Sequence, residues 1–524
     1  MKQISKKKLN STKILIIAVF IVLIVLPLFR MLAFAAQIDL SAFLSSPALW
    51  RAVVNSITVS AVATFFSVSI AMILAFCITR SQMKFKGLFA ILITIPMLIP
   101  SISHGIGIII MFGANGIITN LFNLPGSIYG FNGIVLGSVM YTFPIAYLMI
   151  SDILSYEDTS VYDAATILGI PKWKQFVSIT LPYLTKPLIA VVFATFTAIV
   201  TDYGVPIMVG GLYTTLPVMM YHEVIGRLNF GRGSVIGAIL LLPAVVSFII
   251  DTLSKNTAVQ NFVTQSWRIR KNTIAKIFST AYCSIISIAV LLPILSFVIL
   301  TVVQRYPIDM TFTLANIARA NNQGAGGFLI NSLFISVMVT CAGVITSYLT
   351  AYLTARFEGK LSRIMHLLSL TTIAIPGIVL GISYAIFFRG SLISGTFSIL
   401  ILVNIVHFFA SPYLIAYNSL SKINPNLESV GMTLGVSRFR TLIDVILPQT
   451  RRSIAEMSLY FFVNSMMTIS AVSFLNTTRT RPLSLMIPMY EGQMQLESAA
   501  VVSLAILIVN LIMKGFVGLA KKRA

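Results

Sequence analysis

Twelve apolar runs, each long enough to cross a lipid bilayer, constrain this chain more than any other feature. They fall at about 14–36, 53–79, 87–112, 131–154, 187–210 and 233–252, then 274–303, 327–355, 366–388, 396–419, 453–475 and 498–518. A helix of about 20 apolar residues spans the hydrocarbon, and in lipid each backbone polar group must be satisfied within the protein. The runs predict an all-α polytopic membrane protein of about twelve transmembrane helices. At 57% hydrophobic and 10% charged residues, 524 residues carry too little polar surface to cover a water-soluble particle. The connections are too short to hold a further soluble domain.

Charge orients the crossings. Lys+Arg 37 against Asp+Glu 15 gives a net +22, which in a soluble chain would suggest nucleic acid as partner. With the N-terminus inside, 28 of the 37 basic residues fall on the cytosolic side, as the positive-inside bias requires. The excess is a topology signal: a multi-pass membrane protein with both termini cytosolic, lipid around it and no nucleic-acid partner. Lys6, Lys7 and Lys8 before the first run, and Ala33-Phe34-Ala35 after it, imitate a signal peptide. Arg30 interrupts that pattern, and the segment is expected to be kept as a crossing. Cys77, Cys283 and Cys341 lie in apolar stretches, and the four histidines fall in separate segments. Neither a metal site nor a catalytic constellation is indicated.

The crossings form a six-then-six repeat. Asn55-Ser56 recurs as Asn331-Ser332, and at the same offset of 276 Pro100 falls on Pro376 and Gly105 on Gly381. Beyond about ten extra residues in the first half the offset becomes 266, placing Tyr147-Leu148 on Tyr413-Leu414. Two halves of six crossings insert in the same orientation. Residues 1–262 and 263–524 are thus expected as parallel six-helix repeats related by an axis along the membrane normal, with a pathway between them. Pro100 and Pro376 break crossings and are pathway candidates. His104 and Asp202 join them as intramembrane polar groups, His104 with hydrogen bonding inside the bundle as its simpler role and Asp202 with that of a helix-end acid wetted at the interface.

The repeat is clearest in the longest cytosolic loop of each half: DAATILGIPKWKQFVSITLP from Asp163 to Pro182, and SVGMTLGVSRFRTLIDVILP from Ser429 to Pro448. Ser160 with Asp163 reads as a capping box and Asn424-Pro425 as a helix opening, so a short helix is predicted in each loop. Ala164-Ala165 and Val430-Gly431 would give it a small-residue surface that another protein can approach. Gly169 or Gly435 would end it in the left-handed conformation, and Pro171 or Ser437 would start the helix leading back into the membrane. Lys172-Trp173-Lys174 and Arg438-Phe439-Arg440 suit the headgroup layer. Two such helices suggest docking sites for a two-fold partner.

This loop pattern resembles the signature of permease subunits of type I ABC importers, in which Glu-Ala-Ala is followed by Gly and then by a hydrophobe, any residue and Leu-Pro. The chain matches with Asp163-Ala164-Ala165, Gly169, Ile179 and Leu181-Pro182, and with Ser429-Val430-Gly431, Gly435, Val445 and Leu447-Pro448. It departs in the acid, which is Asp in one copy and Ser in the other with Glu428 one place early. The resemblance implies a place in the bacterial cytoplasmic membrane, that the helices sit in two copies of an ATPase subunit, and that an extracytoplasmic substrate-binding protein delivers a small solute from outside. No Gly-x-x-x-x-Gly-Lys-Ser/Thr loop is present, so ATP and Mg are expected on the partner, with no cofactor and no catalytic residue in this chain. The fused halves, Thr201-Asp202-Tyr203-Gly204-Val205-Pro206 and Thr468 to Leu475 look like the branch that imports ferric iron, 2-aminoethylphosphonate and thiamine, with iron the best match; Tyr203 joins the pathway candidates. An ion-coupled carrier of two parallel six-helix halves is the alternative, and few ionisable groups near the bilayer midplane support it. A polytopic enzyme would need a constellation the sequence does not show.

Overall fold

The computed structural model describes residues 2–123, 128–255 and 272–523. Among the described residues the regular elements are helical apart from one hairpin, Val303–Arg305 with Asp309–Phe312. Among the described residues nine helices are long and apolar enough to cross a membrane, and eleven are reached if each of two sharply bent pairs counts as one crossing. The expected twelve is therefore not met, for a local reason. The run expected at 453–475 forms a helix only over Arg451–Met467, 17 residues, because the chain unwinds from Thr468.

Proline accounts for the break in the third crossing of each half, since it removes an N–H donor and crowds the preceding turn. The run at 87–112 is two helices, Lys86–Thr94 with a tight turn to Leu98, then Ser101–Phe112 capped by Pro100. Its counterpart bends by 107° between Lys360–Ala374 and Gly377–Phe387, with Pro376 at the start of the second piece. The run expected at 187–210 is helical from Lys172 to Val200 and unwinds at Thr201. The unwound segments of the two halves, near Asp202 and Thr468, are the stretches singled out above for their sequence.

The two halves are interlocked. The first crossing, Leu9–Ala35, lies against the second half: Phe20 and Ile24 enter its core, and the Tyr384 hydroxyl donates to the Leu23 carbonyl at 2.8 Å. Lys13 at its start is buried and donates to the Phe357 carbonyl (2.8 Å) and Ser362 Oγ (2.7 Å). Reciprocally Thr273–Val302 lies on the first half, so close to Ser101–Phe112 that a Cβ on Gly107 would stand 2.7 Å from Pro293. The last crossing, Leu496–Arg523, lays a polar seam over the first half's broken helix. Ser503 pairs with Ser103 at 2.9 Å, Asn510 donates to the Leu98 carbonyl at 2.9 Å, and Lys514 donates to Thr94 at 3.1 Å. Asn510 thereby serves a carbonyl beside the Pro100 break, as buried backbone requires. The boundary expected at 262/263 lies outside the described residues.

Candidate functional site

Two places combine repeat-related residues with unusual backbone: one end of the bundle, where the two loops lie, and a cavity at the level of the helix breaks.

At the loop end, Ser160–Ile167 and Leu427–Thr433 are short helices. Each ends as expected. Gly169 has φ +71° and Gly435 φ +75°, and the hydrogen bonds are those of a Schellman cap. Gly169 N–H reaches the Thr166 carbonyl (3.1 Å) and Ile170 N–H that of Ala165 (2.9 Å), while Gly435 N–H reaches Met432 (3.2 Å) and Val436 N–H reaches Gly431 (2.8 Å). Pro171 and Ser437 then open the next helix, Ser437 accepting from the Arg440 N–H at 3.3 Å. Leu181-Pro182 and Leu447-Pro448 each follow a π-helical turn, Phe176–Thr180 and Leu442–Ile446. The cause is shared: each proline lacks the donor that an α-turn would use.

Two expectations are corrected. Ser160 and Asp163 form no capping box, because the helix begins at Ser160 itself; the carboxylate that accepts from the Ser160 N–H, at 2.9 Å, is Asp158. Nor do both small residues face outwards. Ala164, Ser429 and Val430 are exposed, but Ala165 is buried, and a Cβ on Gly431 would stand 2.7 Å from Thr441 Oγ1. The second small residue lets the short helix approach the helix that follows it. What each loop presents outwards is apolar and raised: Ile167 is 87% exposed, Leu168 77% and Leu434 75%, with Trp173 and Phe439 beside them.

Sequence reasoning missed what holds these helices in place. Arg80 ends the helix Pro47–Arg80 and Arg356 ends Ala325–Arg356, 276 residues apart as the repeat requires. Arg356 grips Glu428 with two bonds (Nε to Oε1 2.7 Å, Nη2 to Oε2 2.5 Å) and donates to the Ile423 and Asn424 carbonyls, both at 2.6 Å. Both partners are buried. Arg80 pairs with Glu157, whose other oxygen accepts from the Tyr162 hydroxyl, and its guanidinium lies over the Tyr162 ring at 5.6 Å. Tyr162 also meets Thr180 Oγ1 at 2.5 Å. The available signal was an arginine at the same repeat position in both halves.

The second place is a cavity of about 100 Å³ lined by both halves, Pro100, Ser101, Tyr141, Asp202 and Tyr203 from one, His407, Asn464, Thr468 and Ser470 from the other. At the repeat offset of 266 Tyr141 falls on His407 and Asp202 on Thr468, so equivalent positions meet across it with different chemistry. Asp202 is more than a wetted helix end. It accepts from Ser101 Oγ (2.6 Å) and from the Val205 (3.0 Å) and Gly204 (3.3 Å) N–H groups, capping Gly204–Val209 and joining it to the start of Ser101–Phe112. These donors satisfy a carboxylate that would otherwise be costly at this depth. Gly204 and Gly377 are required by close approach, since a Cβ would stand 2.3 Å and 2.5 Å from Ser101 and Ser470 Oγ. Tyr203 stacks on Tyr221 with centroids 5.3 Å apart, and its hydroxyl shares a 2.7 Å bond with Ser473 of the other half. His104 and Pro376 are not among the lining residues. His104 is buried and bonds the Pro96 carbonyl at 3.2 Å, a group that Pro100, without an N–H, cannot serve as an α-turn would and that otherwise accepts only a long bond from the Ile99 N–H, at 3.4 Å.

The sequence matches the model of the family described as "Binding-protein-dependent transport system inner membrane component" over residues 14–257 and 343–524. The chain belongs to this family. It is therefore a multi-pass inner-membrane permease of a binding-protein-dependent transport system. Among curated proteins it is similar to the "Putative ferric transport system permease protein FbpB 1" of Haemophilus influenzae, 25% identical over 452 residues, covering 82% of this chain and 71% of that one. The "Ferric transport system permease protein FbpB" of Actinobacillus pleuropneumoniae is 24% identical, with 82% and 65% covered. The "Molybdenum transport system permease protein ModB" of Escherichia coli matches a shorter part, 27% identical over 179 residues, 33% of this chain and 78% of that one.

Proposed function

We propose that this permease gives the translocation pathway of an ATP-driven importer, and that Ser160–Ile167 and Leu427–Thr433 are the docking helices for two copies of an ABC ATPase subunit. The observation that carries this is the pair itself: two repeat-related helices at one end of the bundle, with the same cap, the same π-turn and an arginine anchor each. The loop end is the cytosolic end, since the basic residues gather there, and both termini are cytosolic. Asp163, Ala164, Ser429 and Val430 lie on the docking helices, Gly169 and Gly435 end them, and Leu181-Pro182 and Leu447-Pro448 receive their movement. An extracytoplasmic binding protein delivers the solute to the opposite face, and the cavity beside Pro100, Asp202 and Tyr203 lies on its route. Ferric iron is the first candidate, supported by the names of the two long-matching relatives, with 2-aminoethylphosphonate or thiamine next.

The purified chain, lacking a phosphate-binding loop, hydrolyses no ATP under this reading. The intact complex holds one copy of this chain and two of the ATPase. Native mass measurement of the complex tests it: two copies of this chain, or vanadate-sensitive turnover by the chain alone, would refute it.

A further inference from the structure

The second crossing of each half is built differently from its neighbours. Pro47–Arg80 has 34 residues and Ala325–Arg356 has 32, and neither has a proline beyond its first turn. Pro144, Pro187 and Pro293 lie inside the helices Phe131–Ser155, Leu181–Val200 and Thr273–Val302, where proline permits kinking. At 1.5 Å per residue, about 50 Å of helix exceeds the roughly 30 Å of hydrocarbon. Each helix is therefore longer than the hydrocarbon is thick.

Both ends are also fastened. At the inner end Arg80 and Arg356 hold the docking helices. Near the outer end Asn55 donates to the Thr214 carbonyl at 3.0 Å, and Ser56 Oγ accepts from the Leu216 N–H at 2.7 Å. In the second half Asn331 donates to the Arg479 and Arg481 carbonyls at 3.0 and 3.2 Å, and Ser332 Oγ accepts from the Leu483 N–H at 2.7 Å. The loops gripped are those that continue from the unwound segments at the cavity, where Tyr203 meets Ser473. Asn-Ser, the first mark of the repeat in the sequence, is thus the outer fastening of the same helix whose inner fastening is arginine.

We propose that each second crossing is a rigid strut that carries displacement of its docking helix to the outer loop, and so to the Tyr203–Ser473 contact between the halves. Ser56, Asn55, Ser332 and Asn331 are positioning residues at one end of the strut, as Arg80 and Arg356 are at the other. The proposal rests on the importer reading above. It needs no chain of side chains through the membrane, because a continuous helix joins the two fastenings.

The test uses the complete complex with its ATPase and binding protein in proteoliposomes. Ser470→Cys supplies a probe on the cavity wall, labelled from outside by a membrane-impermeant maleimide before and after trapping with ATP and vanadate. In the otherwise unmodified chain, trapping is expected to raise the labelling rate at least fivefold. Ser56→Ala with Ser332→Ala should keep ATP hydrolysis within twofold and lose more than half of that rise. Ser56→Thr with Ser332→Thr, which keep the acceptor oxygen, should restore it, separating positioning from mere packing. Arg356→Gln should give the same loss. Adding it to the outer pair should make little further difference, as expected for sites acting through one element. A full labelling rise in the Ser→Ala pair, or purely additive losses, would overturn the strut. No binding-protein-stimulated hydrolysis and no trapping effect in the unmodified chain would overturn the importer reading, and the strut with it.

Discussion

In the first loop the anchoring carboxylate, Glu157, precedes the short helix and reaches it through the Tyr162 hydroxyl, while Arg80 lies on the Tyr162 ring. In the second, Glu428 sits in the helix's first turn and meets Arg356 directly. At the repeat offset of 266 Tyr162 and Glu428 are equivalent positions. The arginine has kept its place while the acid moved along the chain, and the tyrosine fills the gap. What the repeat preserves is a fastening between the end of the second crossing and the loop helix, not a particular residue on that helix. This explains how the acid of the loop signature is Asp in one copy and Ser in the other without loss of the helix, its cap or the turn that follows.

The largest test of this difference is to remove the arginines. Arg356→Met leaves Glu428 buried without its partner, a change that costs about 3–5 kcal/mol. Proteolytic cleavage within 422–437 should accelerate on the order of 100-fold or more. Arg80→Met should accelerate cleavage of the first loop less, because Glu157 keeps the Tyr162 hydroxyl. An equal or larger effect at Arg80 would break the comparison.

Gly431→Ala comes next. Its Cβ would stand 2.7 Å from Thr441 Oγ1, and overpacking of this kind costs about 1–3 kcal/mol. The first loop already carries Ala165 at the equivalent place. A lowered Tm and reduced uptake are expected for Gly431→Ala; unchanged values would show that the second helix has room to shift.

Gly169→Val and Gly435→Val each force a β-branched residue into the left-handed region, at about 1–2 kcal/mol. The local strain should be the same in both, since the φ values are +71° and +75° and nothing lies within 4 Å of either site. Abundance in the membrane should stay near normal while uptake and ATPase co-purification fall. Any inequality between the two then measures how unequally the partner depends on Ala164-Ala165 and Val430-Gly431. Wild-type uptake and attachment in both would remove the loops as the coupling element.

The smallest effect belongs to Tyr162→Phe, which removes the hydroxyl shared by Glu157 and Thr180 and should cost about 1 kcal/mol. A Tm lowered by a few degrees, with no loss of ATPase attachment, is the expected result. Loss as severe as that of Arg80→Met would place the whole fastening on the tyrosine.

The loop helices, their glycine caps and the two-fold repeat were legible in the sequence because each depends on neighbours within a few residues or on a fixed offset. The arginine fastenings were not. Arg80 and Glu157 are 77 residues apart, Arg356 and Glu428 are 72 apart, and the acid does not recur in register. Hydropathy also ran unbroken through 187–210 and 453–475, although the chain unwinds at Thr201 and Thr468. Unwound backbone inside an apolar run is stabilised by groups distant in sequence, here Ser101 on Asp202 and Ser484 on the Thr468 carbonyl. A count of apolar runs therefore gave twelve where the described helices give nine to eleven. Asp202 was noticed for its charge, but its role as the cap joining two helix starts needed the partner helix in view. The Asn-Ser pairs were seen as marks of the repeat, and their hold on the outer loops emerged only from the fold.

Photo-crosslinking from two exposed positions on the proposed docking helices tests most directly whether each loop holds an ATPase subunit. A photoreactive amino acid is placed at Ala164 or at Val430 in otherwise unaltered membranes, and the crosslinked species are identified by mass. An adduct with the same ATPase subunit is expected from each position, and from both positions together one copy of this chain bound to two copies of the ATPase. Adducts with lipid alone, or with the ATPase from one position and never the other, would contradict it.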